Sequence, residues 1–155
     1  MSDTSPDRAD CRTSGTSTRL ASILPAIISE EQGGFVQGRN IHDNIALVQE
    51  VVQDINKKSR GGNLVLKLDM AKAYDCLEWD FLYQVLAKFD FPEGWISLIK
   101  KTVESCWFSI VLNGGPTGFF KSFEGVRQGD PLSPSLFILA EEVLSRGLRT
   151  LGRVE

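Results

Sequence analysis

The chain has 155 residues, with 42% apolar and 24% charged side chains, enough for one domain with its own core. A formal net charge of −3 argues against a freestanding nucleic-acid binder, which is usually basic because phosphate neutralisation supplies most of its affinity. No apolar run has the length of a membrane span, and the first eighteen residues lack the apolar stretch of a secretory signal.

Residues 1–18 are rich in Ser, Thr and Asp and read as a disordered leader. Leu20 to Ile28 form a short apolar stretch, helical on either side of a bend at Pro25. Residues 32–39 are a glycine-rich loop carrying two buried-type side chains, Phe35 and Val36. Asp43 is a good N-cap for a helix running to about Lys58, with Ile45, Val48, Val51, Val52 and Ile55 on one face. Gly61-Gly62 ends that helix, and the β-rich run 64–70 comes next as a strand. Glu78–Phe89 and Gly94–Ser105 read as two helices split at Phe91-Pro92. Cys106–Leu112 and Thr117–Phe123 read as a hairpin joined through residues 113–116. A last helix opens near Pro131 or Pro134 and runs towards Leu151. The order is that of an α+β domain with helices packed on a small antiparallel sheet.

Cys11, Cys76 and Cys106 are odd in number and fit no metal-ligand spacing, so free thiols in an intracellular protein are the simplest reading; nucleus and cytoplasm are left open. The basic clusters Lys57, Lys58 and Arg60, and Lys100 and Lys101, suit solvated helix ends better than a phosphate track.

Alternate residues of a strand share a face. Leu64, Leu66, Leu68 and Met70 then point into a core, while Val65, Lys67 and Asp69 point to the polar side. Asp69 lies at the carboxyl end of the strand, where an oxygen ligand suits the hard Mg²⁺ ion, and the Met70 carbonyl could add a second oxygen. A strand-end Asp serves more often as a turn cap, so two neighbours matter. Tyr74, five residues on, is placed either in a core or as an aromatic floor under a nucleotide sugar. The loop at 125–130 combines the amide of Gln128, the close-approach backbone of Gly129 and the phosphate-pairing group of Arg127; Asp130 is read as a cap.

Residues 68–75, Leu-Asp-Met-Ala-Lys-Ala-Tyr-Asp, followed by Glu78-Trp79, resemble the reverse transcriptases of non-LTR (LINE-type) retrotransposons, particularly the kind abundant in plant genomes. So do residues 125–134, Gly-Val-Arg-Gln-Gly-Asp-Pro-Leu-Ser-Pro, and the likeness runs from about Arg19 to about Arg149. It implies a partial right-hand polymerase fold, with a fingers fragment at 19–62 and an incomplete palm at 63–155. It further implies Asp69 as the first catalytic metal ligand with Met70 beside it, and Mg²⁺ as cofactor. Tyr74 would be the sugar-selecting gate, and Gln128 and Gly129 would belong to the nucleotide and template loop with Arg127. Arg39 would lie near the incoming triphosphate, and Asp75 would be structural. The implied partners are an RNA template, a DNA primer and deoxynucleoside triphosphates. The family's Asp-Asp motif is not in the sequence, so the resemblance implies a truncated nucleotidyltransferase, inactive alone. The unpaired palm edge would then be open to a protein partner; no membrane is implied.

Overall fold

The structure, a computed structural model, describes residues 7–58 and 63–151. Among these, five helices surround one core and leave a hairpin at the side. They are α1 (Asp7–Ile27), α2 (Ile41–Asp54), α3 (Trp79–Lys88), α4 (Glu93–Glu104) and α5 (Ser133–Leu151), with β1 (Trp107–Leu112) and β2 (Gly115–Lys121) between the last two helices. The α+β reading holds, with a sheet of only two strands among the described residues.

Helix α5 is the centre. Its Leu136, Ile138, Leu139 and Ala140 are buried, and α3 contributes Leu82, Val85 and Leu86 at the expected helical spacing. Ile96 and Ile99 of α4 close one side, and Leu20 and Leu24 of α1 close the other. At about 1.5–3 kcal/mol for each fully buried aliphatic side chain, this interdigitated set is the main source of stability.

Local signals set the element ends. Phe89 closes α3, Asp90 follows with a φ of +58°, and the Phe91 N–H reaches back to the Leu86 carbonyl at 3.1 Å while the Asp90 N–H reaches Ala87 at 3.1 Å. These are the two bonds of a Schellman ending, with Asp where glycine is favoured. The hairpin turns on Asn113 (φ +50°) and Gly114 (φ +82°), the tight left-handed turn that matches strand twist. Pro116 therefore lies inside β2, opposite Val111, and not in the turn. Gly118 (φ +67°) and Phe119 together face Ser109, a bulge that interrupts the register between Phe108 and Ile110.

Several expectations are corrected. Helix α1 runs unbroken through Pro25 and starts at Asp7, inside the stretch read as a disordered leader; residues 1–6 lie outside the described residues. Ser17, midway along α1, donates to the Pro131 carbonyl at 2.7 Å, tying the helix to the segment that leads into α5. Asn40, not Asp43, caps α2: its side chain accepts the His42 N–H at 3.1 Å. Helix α2 stops at Asp54 and buries no side chain, so its apolar face is exposed; the expected terminator Gly61-Gly62 lies outside the described residues. Phe35 is exposed while Val36 is buried.

The largest difference is the run 64–70. It has no ladder partner among the described residues, and Leu64, Leu66, Leu68 and Met70 are all exposed rather than in a core. The alternating pattern is real, but a strand is completed by a neighbour, and β1 and β2 pair only with each other.

Candidate functional site

The motifs at 68–79 and 125–134 meet in space through backbone bonds. The chain turns tightly at 72–76, with the Asp75 and Cys76 N–H groups both donating to the Lys72 carbonyl (2.9 and 3.0 Å). Against this turn lies the start of the 125–130 loop. The Val126 N–H donates to the Tyr74 carbonyl and the Gly125 N–H to the Leu77 carbonyl, each at 2.8 Å. The Trp79 indole N–H donates to the Gly125 carbonyl at 2.7 Å.

This contact depends on a missing side chain. A Cβ on Gly125 would fall 2.7 Å from the Asp75 carbonyl oxygen and 2.9 Å from that of Tyr74, and the residue has a φ of +84°. Glycine is required here twice, by the left-handed backbone and by the close approach.

Beyond the clamp the loop presents its polar groups. The Gln128 amide donates to an Asp75 carboxylate oxygen at 3.3 Å. Arg127 pairs with Asp130 at 2.7 Å, and the other Asp130 oxygen accepts the Leu132 N–H at 2.9 Å, the capping role read from sequence. Tyr74 stacks on Phe137 of α5, with ring centroids 5.2 Å apart, so its ring is both half-buried and fixed. Tyr74, Gln128, Gly129, Pro131 and Pro134 line an open cavity of about 550 Å³. A second cavity, of about 390 Å³, lies on the other side of the loop between Trp79, Cys106, Phe108 and Leu136.

The structure thus brings Tyr74, Arg127, Gln128 and Gly129 together. Asp69 is exposed on the unpaired run and lines neither cavity. No group of three or more His, Cys, Asp or Glu side chains able to hold a metal ion occurs among the described residues. The Asp69 carboxylate and the Met70 carbonyl are therefore too small a donor set for a pair of Mg²⁺ ions, each of which seeks octahedral oxygen coordination.

Arg39 is elsewhere. Its guanidinium donates to the carbonyls of Pro25 (3.2 Å), Ile28 (2.9 Å) and Gln32 (2.9 Å), and also to that of Ser29. It caps the carboxyl end of α1, where a cation also suits the helix dipole.

Beside that cap is a buried acid that the sequence reading passed over. Glu142 is 2% exposed and accepts from the Ser29 N–H (3.1 Å), the Ser29 hydroxyl and the Arg146 guanidinium (2.8 Å). Burial alone would raise its pKa, but the Ser29 and Arg146 hydrogen bonds outweigh it and hold the carboxyl below its ordinary value. Arg146 continues to the Ile27 carbonyl at 2.9 Å, and its guanidinium covers the Phe89 ring. The available signal was position: Glu142 lies three residues after buried Leu139, on the apolar face of α5.

Residues 12–152 match the model of the family described as reverse transcriptase (RNA-dependent DNA polymerase). Over 120 residues the chain is 35% identical to a Retrovirus-related Pol polyprotein from the type-2 retrotransposable element R2DM of Drosophila melanogaster, covering 77% of this chain and 11% of that protein. Over 126 residues it is 31% identical to an uncharacterized 149 kDa protein of the transposon TX1 of Xenopus laevis, covering 81% and 10%. An uncharacterized mitochondrial protein of Arabidopsis thaliana is 60% identical over 35 residues, which cover 23% of this chain and 29% of that protein. The chain therefore spans about a tenth of the length of the first two. It belongs to the reverse transcriptase family, as a partial domain related to the polyproteins of non-LTR retrotransposons.

Proposed function

We propose that this chain is the nucleotide-holding part of a reverse transcriptase site, and that it does not polymerise DNA by itself. Residues 19–62 form part of the fingers and residues 63–155 an incomplete palm. The observation that carries the reading is the clamp between residues 74–79 and 125–128, which sets the Tyr74 ring beside Gln128 and Gly129 at an open cavity. In this reading the Tyr74 ring lies under the sugar of an incoming deoxynucleotide and excludes a 2′-hydroxyl. Gln128 and the bare backbone of Gly129 contact the nucleotide and its template base, and Arg127 offers guanidinium donors to phosphate. Asp69 is the first Mg²⁺ ligand with the Met70 carbonyl beside it. Arg39 contributes indirectly, by fixing the loop between α1 and α2. RNA template and DNA primer are the partners of the family's reaction.

Incompleteness follows from the donor set. One carboxylate does not bridge two ions, and losing members of a cooperating catalytic set typically costs several orders of magnitude in rate. The test is primer extension on an RNA template with all four deoxynucleotides and Mg²⁺ or Mn²⁺. No product above background is expected, and extension that disappears in Asp69→Ala would overturn the claim.

A second reading, a partner-binding module, is favoured by the bare apolar face of α2 and the unpaired run 64–70. A nucleic-acid-binding version gains little from the basic cluster after α2. Lys57 is paired with Asp54 at 2.7 Å, and Arg60 lies outside the described residues.

A further inference from the structure

A sugar gate at Tyr74 is only as strict as its ring is immobile. A side chain rejects a 2′-hydroxyl by a clash, and a clash costs no more than the cheapest movement that relieves it. The backbone offers no such movement. The Val126 N–H donates to the Tyr74 carbonyl at 2.8 Å, and the next residue, Asp75, donates its N–H to the Lys72 carbonyl at 2.9 Å. Relief has to come from rotation of the ring, which turns about two side-chain torsions, the outer one broad and roughly two-fold.

Phe137 opposes that rotation. The two rings are stacked, with centroids 5.2 Å apart and planes inclined by 24°. Stacking fixes orientation as well as distance, because the ring quadrupoles favour a few arrangements over those between them. Phe137 is itself anchored: it follows Leu136 and precedes Ile138 on α5, and these are 1% and 2% exposed. Ser133, four residues earlier and on the same side of the helix, lines the cavity with Tyr74, whereas Phe137 is set back from it. Phe137 therefore stands behind the gate and acts on the cavity only through the Tyr74 ring.

We propose that Phe137 is the positioning residue of the sugar gate: its ring backs that of Tyr74 and sets how strongly a ribonucleotide is rejected relative to a deoxynucleotide. The proposal rests on the nucleotide-holding reading of the site. Without the backing ring Tyr74 swings aside, so ribonucleotide affinity rises. Deoxynucleotide affinity, which needs no displacement of the gate, changes little.

The test is titration of the whole ¹⁵N-labelled chain with dATP and with ATP, each with Mg²⁺, the amide shifts of Gln128 and Gly129 giving both dissociation constants. Wild type is expected to prefer dATP about tenfold or more, as an apolar surface rejects one added hydroxyl. Phe137→Leu, apolar but without a ring, should lower that preference about three- to tenfold, the loss of one aromatic pair, by tightening ATP binding. Phe137→Tyr keeps the ring and should keep the preference. A role in stability alone would weaken both nucleotides together and leave their ratio unchanged, which would overturn the proposal. Circular dichroism checks each fold, and Phe137→Met supplies a second variant without a ring. Tyr74→Ala separates the two possible failures. If wild type has no preference, or Tyr74→Ala retains it, the gate reading fails and the proposal with it. If Tyr74→Ala loses the preference while Phe137→Leu and Phe137→Met retain it, or if Phe137→Tyr loses it, the proposal alone is overturned.

Discussion

Replacing Gly125 by alanine should be the most damaging single-methyl change in the loop. The added Cβ would meet the Asp75 carbonyl oxygen at 2.7 Å and the Asp75 Cα at 3.0 Å, both backbone atoms of a turn held by its own hydrogen bonds. The left-handed φ of +84° adds about 1–2 kcal/mol for any residue with a Cβ. Overpacking against backbone adds about 1–3 kcal/mol. If the loop moves to relieve the clash, it gives up bonds to Tyr74, Leu77 and Trp79 worth about 0.5–1.5 kcal/mol each. The backbone and overpacking costs together come to about 2–5 kcal/mol, a large fraction of the stability of a small domain. Gly129→Ala is the internal control: its φ is +88°, yet nothing lies within 4 Å of its Cβ position, so only the backbone cost of about 1–2 kcal/mol remains. Urea unfolding followed by circular dichroism measures both. Equal losses in the two variants would refute the close-approach argument, because the clash is the only term that separates them.

Glu142→Gln should cost about 1.5–3 kcal/mol near neutral pH, since it removes charge-assisted bonds to Ser29 and Arg146. Because the folded-state pKa of Glu142 is depressed, its contribution is fully present above the ordinary glutamate value of about 4.3 and is lost as pH falls through the depressed value. The stability gap between variant and wild type should therefore close on acidification, and a gap constant with pH would refute the assignment. Asp90→Gly should raise stability by about 0.5–1 kcal/mol in the same urea assay, because glycine takes the left-handed position after α3 without a Cβ penalty. A loss of stability would mean that the Asp90 side chain contributes something beyond the backbone bonds of the helix ending.

What could be read from the sequence was what is decided locally. The spacing of Leu82, Val85 and Leu86, and of Ile96 and Ile99, located both short helices to within a residue or so. Asn113-Gly114 located the hairpin, because few residues accept two successive left-handed positions. The meeting of the two motifs was visible as residue types, but the glycine that permits it was not. The need for Gly125 depends on carbonyls fifty residues away in the chain. The same limit explains the misreading of 64–70 and α2: both patterns predict an apolar face, and neither says whether a neighbour arrives to cover it. Glu142 was hidden by its type, since a glutamate in an amphipathic helix ordinarily faces water.

If Tyr74, Gln128 and Gly129 form one nucleotide-holding surface, a deoxynucleoside triphosphate should find it in solution. The decisive experiment is a titration of the ¹⁵N-labelled chain with a deoxynucleoside triphosphate and Mg²⁺, followed by amide chemical shifts. Saturable shifts centred on Tyr74, Gln128 and Gly129 are expected, and they should be lost in Gln128→Ala while the spectrum stays folded. Shifts absent from these residues, or unchanged by Gln128→Ala, would contradict the nucleotide-holding role.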